Sequence, residues 1–219
     1  SLAKWHAKTR LCAVAGHLRG RCLLSQDLPA DPQRHYSIPE LDIDGGWDEA
    51  LCRMIEVFWH PHCLVEFPLP EVYAGCQLRG GDKDTEVELV APSDVVRSLP
   101  EDINDIVVLT DDYRLLEQVR HTFPHRTFHS LCQPSEEGYV HGAFARRTGE
   151  EKHAQMCRFI TTMDALLHAR CFAGSVGPAP SLVLLAWHHV HGGGGFPTDW
   201  PQDRIPEVLT LPVSKRGKV

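Results

Sequence analysis

The stretch "DIVVLTDDYRLLEQVRHTF", residues 105–123, decides the fold. "DIVVLTDD" (105–112) is a continuous apolar run ending in acids, the pattern of a strand buried on both faces. "YRLLEQVRHTF" (113–123) changes the period and turns Leu115, Leu116 and Val119 inward on one helical face. Thr110, Asp111 and Asp112 stand at the junction. One aspartate there suits the helix N-cap, and the other is free to accept hydrogen bonds from a ligand's hydroxyls. A buried strand that runs straight into an amphipathic helix is half of a parallel βαβ unit.

The same rhythm continues on both sides. "AGCQL" (74–78) reads as a strand, and "SDVVRSL" (93–99) as a helix that Ser93 or Asp94 would cap. "RTFHSL" is another strand. The stretch from 150 to 170 is a helix, with Met156, Phe159, Ile160, Met163, Leu166 and Leu167 at helical spacing. "CFAGS" is a short strand, and "PSLVLLAWHHV" a helix with Pro180 in its first turn. Upstream, "WDEALCRMIEVFWH" (47–60) places Leu51, Met54, Ile55 and Phe58 on one helical face, with Asp48 and Glu49 at its positive end. "LCAVAGHLRGRCLLS" (11–25) reads as a helix, a turn and a strand. "LPADPQRHYSIPELDIDGG" reads as loop, "CLVEFPLP" as a strand or extended connector, and the tail from "GGGGFPTDW" onward as loop and arm. The expected class is α/β with a parallel sheet, divided into an amino-terminal unit (1–73), a Rossmann-like unit (74–200) and an extended tail (201–219).

Composition narrows the function. The chain has 219 residues, 42% of them apolar, enough for one large domain or two small ones. A net charge of −7 argues against a nucleic-acid partner. The eight cysteines are dispersed without a C-x-x-C pair, which points to reduced thiols and a cytosolic-type setting. A Golgi or endoplasmic-reticulum lumen is the expectation if an anchor precedes the first residue. No apolar run is long enough for a membrane span.

Ligands of parallel sheets bind outside the carboxyl ends of the strands. Three polar or glycine-rich clusters fall there. The first is Arg79-Gly80-Gly81-Asp82-Lys83. Its arginine fork and lysine suit phosphate oxygens, although a solvated hairpin is the bland reading. The second is Thr110-Asp111-Asp112. The third is Gly174-Ser175-Val176-Gly177, ahead of a helix whose backbone N–H groups suit the same anion. Asp82 and Glu86, four residues apart, are candidates to take a proton from an attacking hydroxyl. Asp164, on the long helix, would read a donor-rich base such as guanine if it faces a pocket. "WHHVHGGGG" and "WHPHC" carry histidines, but no partner carboxylate completes a metal site, so none is expected.

The stretches "GCQLRGGDKDTE", "DIVVLTDDYRLLEQVRHTFP" and "TTMDALLHARCFAGSVGPAPS", over residues 74–187, together resemble the carboxyl-terminal half of the α1,6/O-fucosyltransferases. That resemblance implies a GT-B fold, two Rossmann-like domains facing a cleft, here with the amino-terminal one reduced. It implies an inverting, metal-independent glycosyltransferase that moves a fucose-like sugar from a nucleotide-diphosphate donor to a glycan or glycoprotein hydroxyl. By position, Arg79 matches the arginine on the donor diphosphate, with Asp82 and Lys83 after it. Glu86 matches the proposed base once one residue is deleted. Asp111 and Asp112 match donor-contacting acids, Asp164 an acid that reads the base, and Gly174-Ser175 the loop that closes on the donor. Gln77 stands where the family has a histidine, and Gly80 where it has a second arginine. Those departures leave three alternatives: a UDP-sugar donor such as UDP-xylose, a non-catalytic binder of nucleotide sugar or glycan, and a Rossmann-like domain with another ligand.

Overall fold

The structure is a computed structural model that describes residues 35–80, 90–175 and 179–197. Asp82, Lys83 and Glu86, the first 34 residues and the tail lie outside the described residues. The centre is a five-stranded sheet built from β3 (Ala74–Leu78), β4 (Asp105–Thr110), β5 (Thr127–His129), β6 (Phe172–Gly174) and β7 (Gly195–Pro197). Every pairing in it is parallel, in the order β5-β4-β3-β6-β7. The chain builds outward from β3 through β4 to β5. It then crosses back to the other side of β3. The strand order therefore reverses between β3 and β6, which is where open α/β sheets leave a ligand crevice.

Both faces of the sheet are covered, which is why the central strands β3 and β4 are mostly apolar. Alternation along β3 sorts the layers. Ala74, Cys76 and Leu78 share a core with Ile106 and Val108 of β4, Val95 and Val96 of α2 (Pro92–Arg97), and Leu116 and Val119 of α3 (Tyr113–Thr122). Val107, Leu109 and Phe172 belong to the opposite core. There they meet Met163, Leu166 and Leu167 of α5 (Gly149–Leu167) and Leu184 and Leu185 of α6 (Ala179–Val190). Leu51, Ile55 and Trp59, on or just after α1 (Trp47–Phe58), pack against that second core, as do Phe67 and Leu69 of the connector that follows. The described part of residues 1–73 is thus continuous with the sheet's own packing.

Local chemistry sets the element ends. Helix α5 opens on a capping box: Thr148 Oγ1 accepts from the Glu151 N–H at 3.3 Å, and Glu151 Oε2 accepts from the Thr148 N–H at 2.7 Å. Helix α2 starts one residue before the expected cap. Pro92 occupies its first turn and Ala91 is the N-cap, so Asp94 lies inside the helix rather than ahead of it. Met156, assigned to the apolar stripe of α5, is 42% exposed because it precedes the part of the helix that reaches the sheet.

Four elements differ from the sequence reading. The segment read as a proline-rich loop holds a hairpin of β1 (Tyr36–Ile38) and β2 (Ile43–Gly45), whose Tyr36, Ile38 and Ile43 pack on Ala50 of α1. Proline density hid it, since Pro39 sits in the tight turn between the strands, where it is tolerated. Helix α4 (His141–Arg146) has no buried residue and so no apolar period to betray it. The glycine run after α6 feeds β7 rather than a loop, and a Cβ on Gly195 would make a tight 3.1 Å contact with the Leu185 carbonyl oxygen. "CLVEFPLP" is connector, not strand. No helix among the described residues is long and apolar enough to cross a membrane.

Candidate functional site

Three side chains converge at the carboxyl ends of β3 and β4. Arg79 leaves β3 and donates from Nη1 to Asp111 Oδ2 at 2.7 Å. The Gly80 N–H donates to Asp111 Oδ1 at 3.0 Å, and the Tyr139 N–H to Asp111 Oδ2 at 3.0 Å. The Arg79 guanidinium also lies 5.7 Å from the Tyr139 ring centroid. Side-chain exposures of 19% and 14% make Arg79–Asp111 a largely buried pair, stiffened by backbone donors rather than by charge alone.

The loop that supplies Tyr139 is stitched to the end of β4. Tyr113 N–H donates to the Glu136 carbonyl and Gly138 N–H to the Asp111 carbonyl, both at 2.8 Å. Glu136 is anchored in turn by Arg158 Nη2 at 2.6 Å. Burial, then Glu136 and the two aspartates, push the Cys132 thiol in this loop up to about 12, so it stays protonated.

The two aspartates divide their roles. Asp112 is the N-cap of α3 and accepts the Arg114 N–H at 3.0 Å. Its carboxylate also receives Arg114 Nε at 2.9 Å and Nη2 at 2.6 Å. Hydrogen bonding from Arg114 holds the Asp112 carboxyl below its usual range, against the opposing effect of burial. A lowered folded pKa contributes stability that is present above the unfolded value of about 3.9 and is lost as pH falls through the folded one. The Asp112→Asn variant keeps the cap but loses the charged pair with Arg114, so it is expected to lose up to about 1 kcal/mol at neutral pH, and less in acid where wild type loses its own advantage. Urea denaturation of both proteins at pH 7 and pH 3 checks this. A gap that stays constant with pH would contradict it.

Gly80 stands where it does for a steric reason. A Cβ there would lie 2.9 Å from the Asp112 Cβ, so no side chain fits between β3 and the cap of α3. The second arginine of the resembled family has no space at this position.

On the other side of β3, the crevice edge is lined by polar atoms with no partner. Gln77 Oε1, Arg79 Nε and Ser181 Oγ are buried and make no hydrogen bond. Gln77 follows Cys76, which is in register with Ala173, so it lies beside Gly174 at the end of β6. A Cβ on Gly174 would approach the Ser181 hydroxyl to 2.2 Å, which places Ser181 directly over the same glycine. Ser181 is fully buried in the first turn of α6. Ser175 is half-buried at the exit of β6. Buried polar atoms are usually satisfied, so these three make the strand-order reversal the candidate site, whereas the fourth such atom, Arg126 Nε, lies at the entry of β5. Sequence reasoning missed Ser181. The signal was present in a serine at the third position of a helix that follows a Gly-Ser loop.

Replacing Ser181 with Ala removes a buried, unpartnered hydroxyl. Thermal unfolding is expected to show stability unchanged or raised by up to about 1 kcal/mol, with ligand-induced stabilisation reduced. A variant that is destabilised and binds normally would place Ser181 in the scaffold instead.

Asp164 is elsewhere. Its Oδ1 accepts from Trp59 Nε1 at 2.8 Å. The next residue, Ala165, takes the Tyr73 hydroxyl on its carbonyl at 2.9 Å, and Leu166 covers Gly75. Tyr73 and Gly75 mark the entry of β3, whereas Arg79 follows its exit. Five strand residues, about 16 Å, separate the two ends. Arg79, Gly80, Asp111 and Asp112 thus come together, Gln77, Gly174, Ser175 and Ser181 flank them across β3, and Asp164 stands apart with Trp59.

His188 is buried, bonds the Leu166 carbonyl through Nε2 at 2.8 Å and stacks on Phe172. Burial lowers its pKa, which keeps it neutral. Among the described residues no group of three histidine, cysteine or acidic side chains converges to hold a metal ion.

The sheet order and the helices on both of its faces define an α/β protein with a Rossmann-like parallel sheet. No protein-family model, curated protein or solved structure matches the chain significantly.

Proposed function

We propose that the chain binds a nucleotide-diphosphate sugar at the β3/β6 crevice and acts as an inverting, metal-independent glycosyltransferase on a glycan or glycoprotein hydroxyl. The observation that carries this reading is the cluster of unpartnered buried polar atoms, Gln77 Oε1, Arg79 Nε and Ser181 Oγ, at the point where the strand order reverses. A diphosphate supplies acceptors for Arg79 Nε and the Ser181 hydroxyl, and a sugar hydroxyl supplies the donor that Gln77 Oε1 lacks. In the reaction the acceptor oxygen attacks the anomeric carbon, its proton passes to Asp82 or Glu86, and the bond to the diphosphate breaks. Preorganised donors then stabilise the leaving group's charge. A GDP-sugar with a fucose-like sugar is the first donor to test and a UDP-sugar such as UDP-xylose the second. In this reading residues 74–200 bind the donor, and residues 1–73 form a reduced acceptor-side unit in a GT-B-like arrangement.

One observation favours a second reading, a non-catalytic nucleotide-sugar binder. Asp111 already neutralises Arg79. A neutralised guanidinium still donates hydrogen bonds, but it stabilises a departing diphosphate less.

Calorimetry with GDP-fucose, GDP-mannose, UDP-xylose and UDP-glucose tests both. Micromolar binding of one donor with release of free nucleoside diphosphate supports the transferase. Binding without release or transfer supports the binder. No binding by any of the four overturns the nucleotide-sugar assignment.

A further inference from the structure

The cysteine in "WHPHC" is not absorbed by the crevice. Cys63 lies in the connector after α1, half-exposed. The connector is pinned to α5: the Val65 N–H donates to Thr161 Oγ1 at 3.0 Å, and that hydroxyl donates to the Cys157 carbonyl at 2.8 Å. One turn before Thr161, the Cys157 thiol is 6% exposed and its sulfur lies 3.5 Å from His153 Nε2. Cys63 lies close enough to act on the Cys157 thiol, adding to burial in pushing it up. Two thiols from distant parts of the chain therefore meet, one within reach of solvent and one beside an imidazole. Trp59 bonds Asp164 at the other end of the same contact, two turns further along α5.

We propose that Cys63 and Cys157 form an oxidisable dithiol that a hydroperoxide closes to a disulfide, fastening the 59–73 connector to α5. Cys63, the more exposed sulfur, reacts first. The peroxide O–O bond breaks, an S–O bond forms, and the peroxide leaves as an alcohol, or as water if it is hydrogen peroxide. The Cys157 sulfur then attacks the Cys63 sulfenic acid. The S–S bond forms as the S–O bond breaks. The Cys157 proton passes to His153 Nε2 and on to the departing hydroxide, which leaves as water. The imidazole is needed because burial, and then the neighbouring Cys63, push the Cys157 thiol up, which disfavours the thiolate that must attack. Cys76 is pushed up to about 12 and Cys171 to about 11, in each case by burial first.

The test uses the whole chain, reduced, desalted and treated with hydrogen peroxide, then alkylated and digested without reductant. The expected result is a linked peptide joining Cys63 to Cys157, the loss of a pair of free thiols, and a higher unfolding temperature than the reduced protein. In Cys63→Ser the linked peptide and the temperature difference both disappear. In His153→Ala closure slows and a sulfenic acid at Cys63 becomes trappable by dimedone. Wild-type peptide mapping needs no variant to fold. The proposal is overturned if both thiols remain alkylatable after treatment, or if Cys63 pairs with Cys132 or another cysteine.

Discussion

In Arg79→Ala, nucleotide-sugar affinity is expected to fall by about 3 kcal/mol, roughly 100-fold, with donor turnover abolished. The loss follows from the geometry. Arg79 presents an unpartnered Nε at the crevice while its Nη1 is tied to Asp111. Removing it takes away both the ligand's donor and the group that fixes Asp111. The fold survives, because the Gly80 and Tyr139 N–H groups still serve the Asp111 carboxylate. The stability loss is about 1–3 kcal/mol. Calorimetry on the variant beside urea denaturation separates the two effects. Wild-type affinity and turnover in a folded Arg79→Ala protein would remove Arg79 from the site. Arg79→Lys adds a second readout. It keeps a charge near Asp111 but loses the planar fork, so stability should recover more than binding does.

The second large effect is expected at Gly174. A Cβ there meets Ser181 Oγ at 2.2 Å and the Phe172 ring at 3.0 and 3.1 Å. Phe172 is a fully buried core residue and cannot give way cheaply. Gly174→Val should cost about 1–3 kcal/mol by overpacking and block the crevice where β6 ends. Gly174→Ala combined with Ser181→Ala should recover much of the stability that Gly174→Ala alone loses, because the closest clash is with the serine oxygen. Contacting residues couple in this way, and a double-mutant cycle by thermal unfolding measures it. Simple additivity would mean that the close approach of Gly174 to Ser181 is not what fixes a glycine there.

Both predictions concern one edge of the sheet, and that edge was partly legible in the sequence. "DIVVLT" and "AGCQL" are strands because their apolar residues fill both faces of a covered sheet, with Asp105, Thr110 and Gln77 the polar exceptions. The acids after the first of them end it and cap the next helix. The α5 period is read from Phe159, Met163, Leu166 and Leu167 in the same way. These are local signals, fixed by burial period and capping chemistry. They also placed Arg79, Gly80, Asp111 and Asp112 at strand exits, where the structure has them.

What the sequence left open depends on pairing partners distant in the chain. Asp111 and Asp112 look equivalent in a row. Only the arrival of Tyr139 from the loop after β5 commits Asp111 to three internal donors and leaves Asp112 to the cap. Asp164 sits on the correct helix, but an antiparallel crossover helix carries its last turns toward the strand entries, so Trp59 meets it rather than the crevice. The β1–β2 hairpin and β7 were invisible because proline and glycine mask short strands whose stability comes from neighbours. Gly80 and Gly174 carry no sign of what excludes a side chain from them, since Asp112 and Ser181 are brought there by folding. The sequence by itself determined the α/β class, the order of the main elements and the strand-exit position of the basic and acidic clusters, because periodicity and capping are local. Which of those groups meet, which are already satisfied and which are left without a partner was decided by the tertiary structure, because hydrogen-bond satisfaction is a property of neighbours in space.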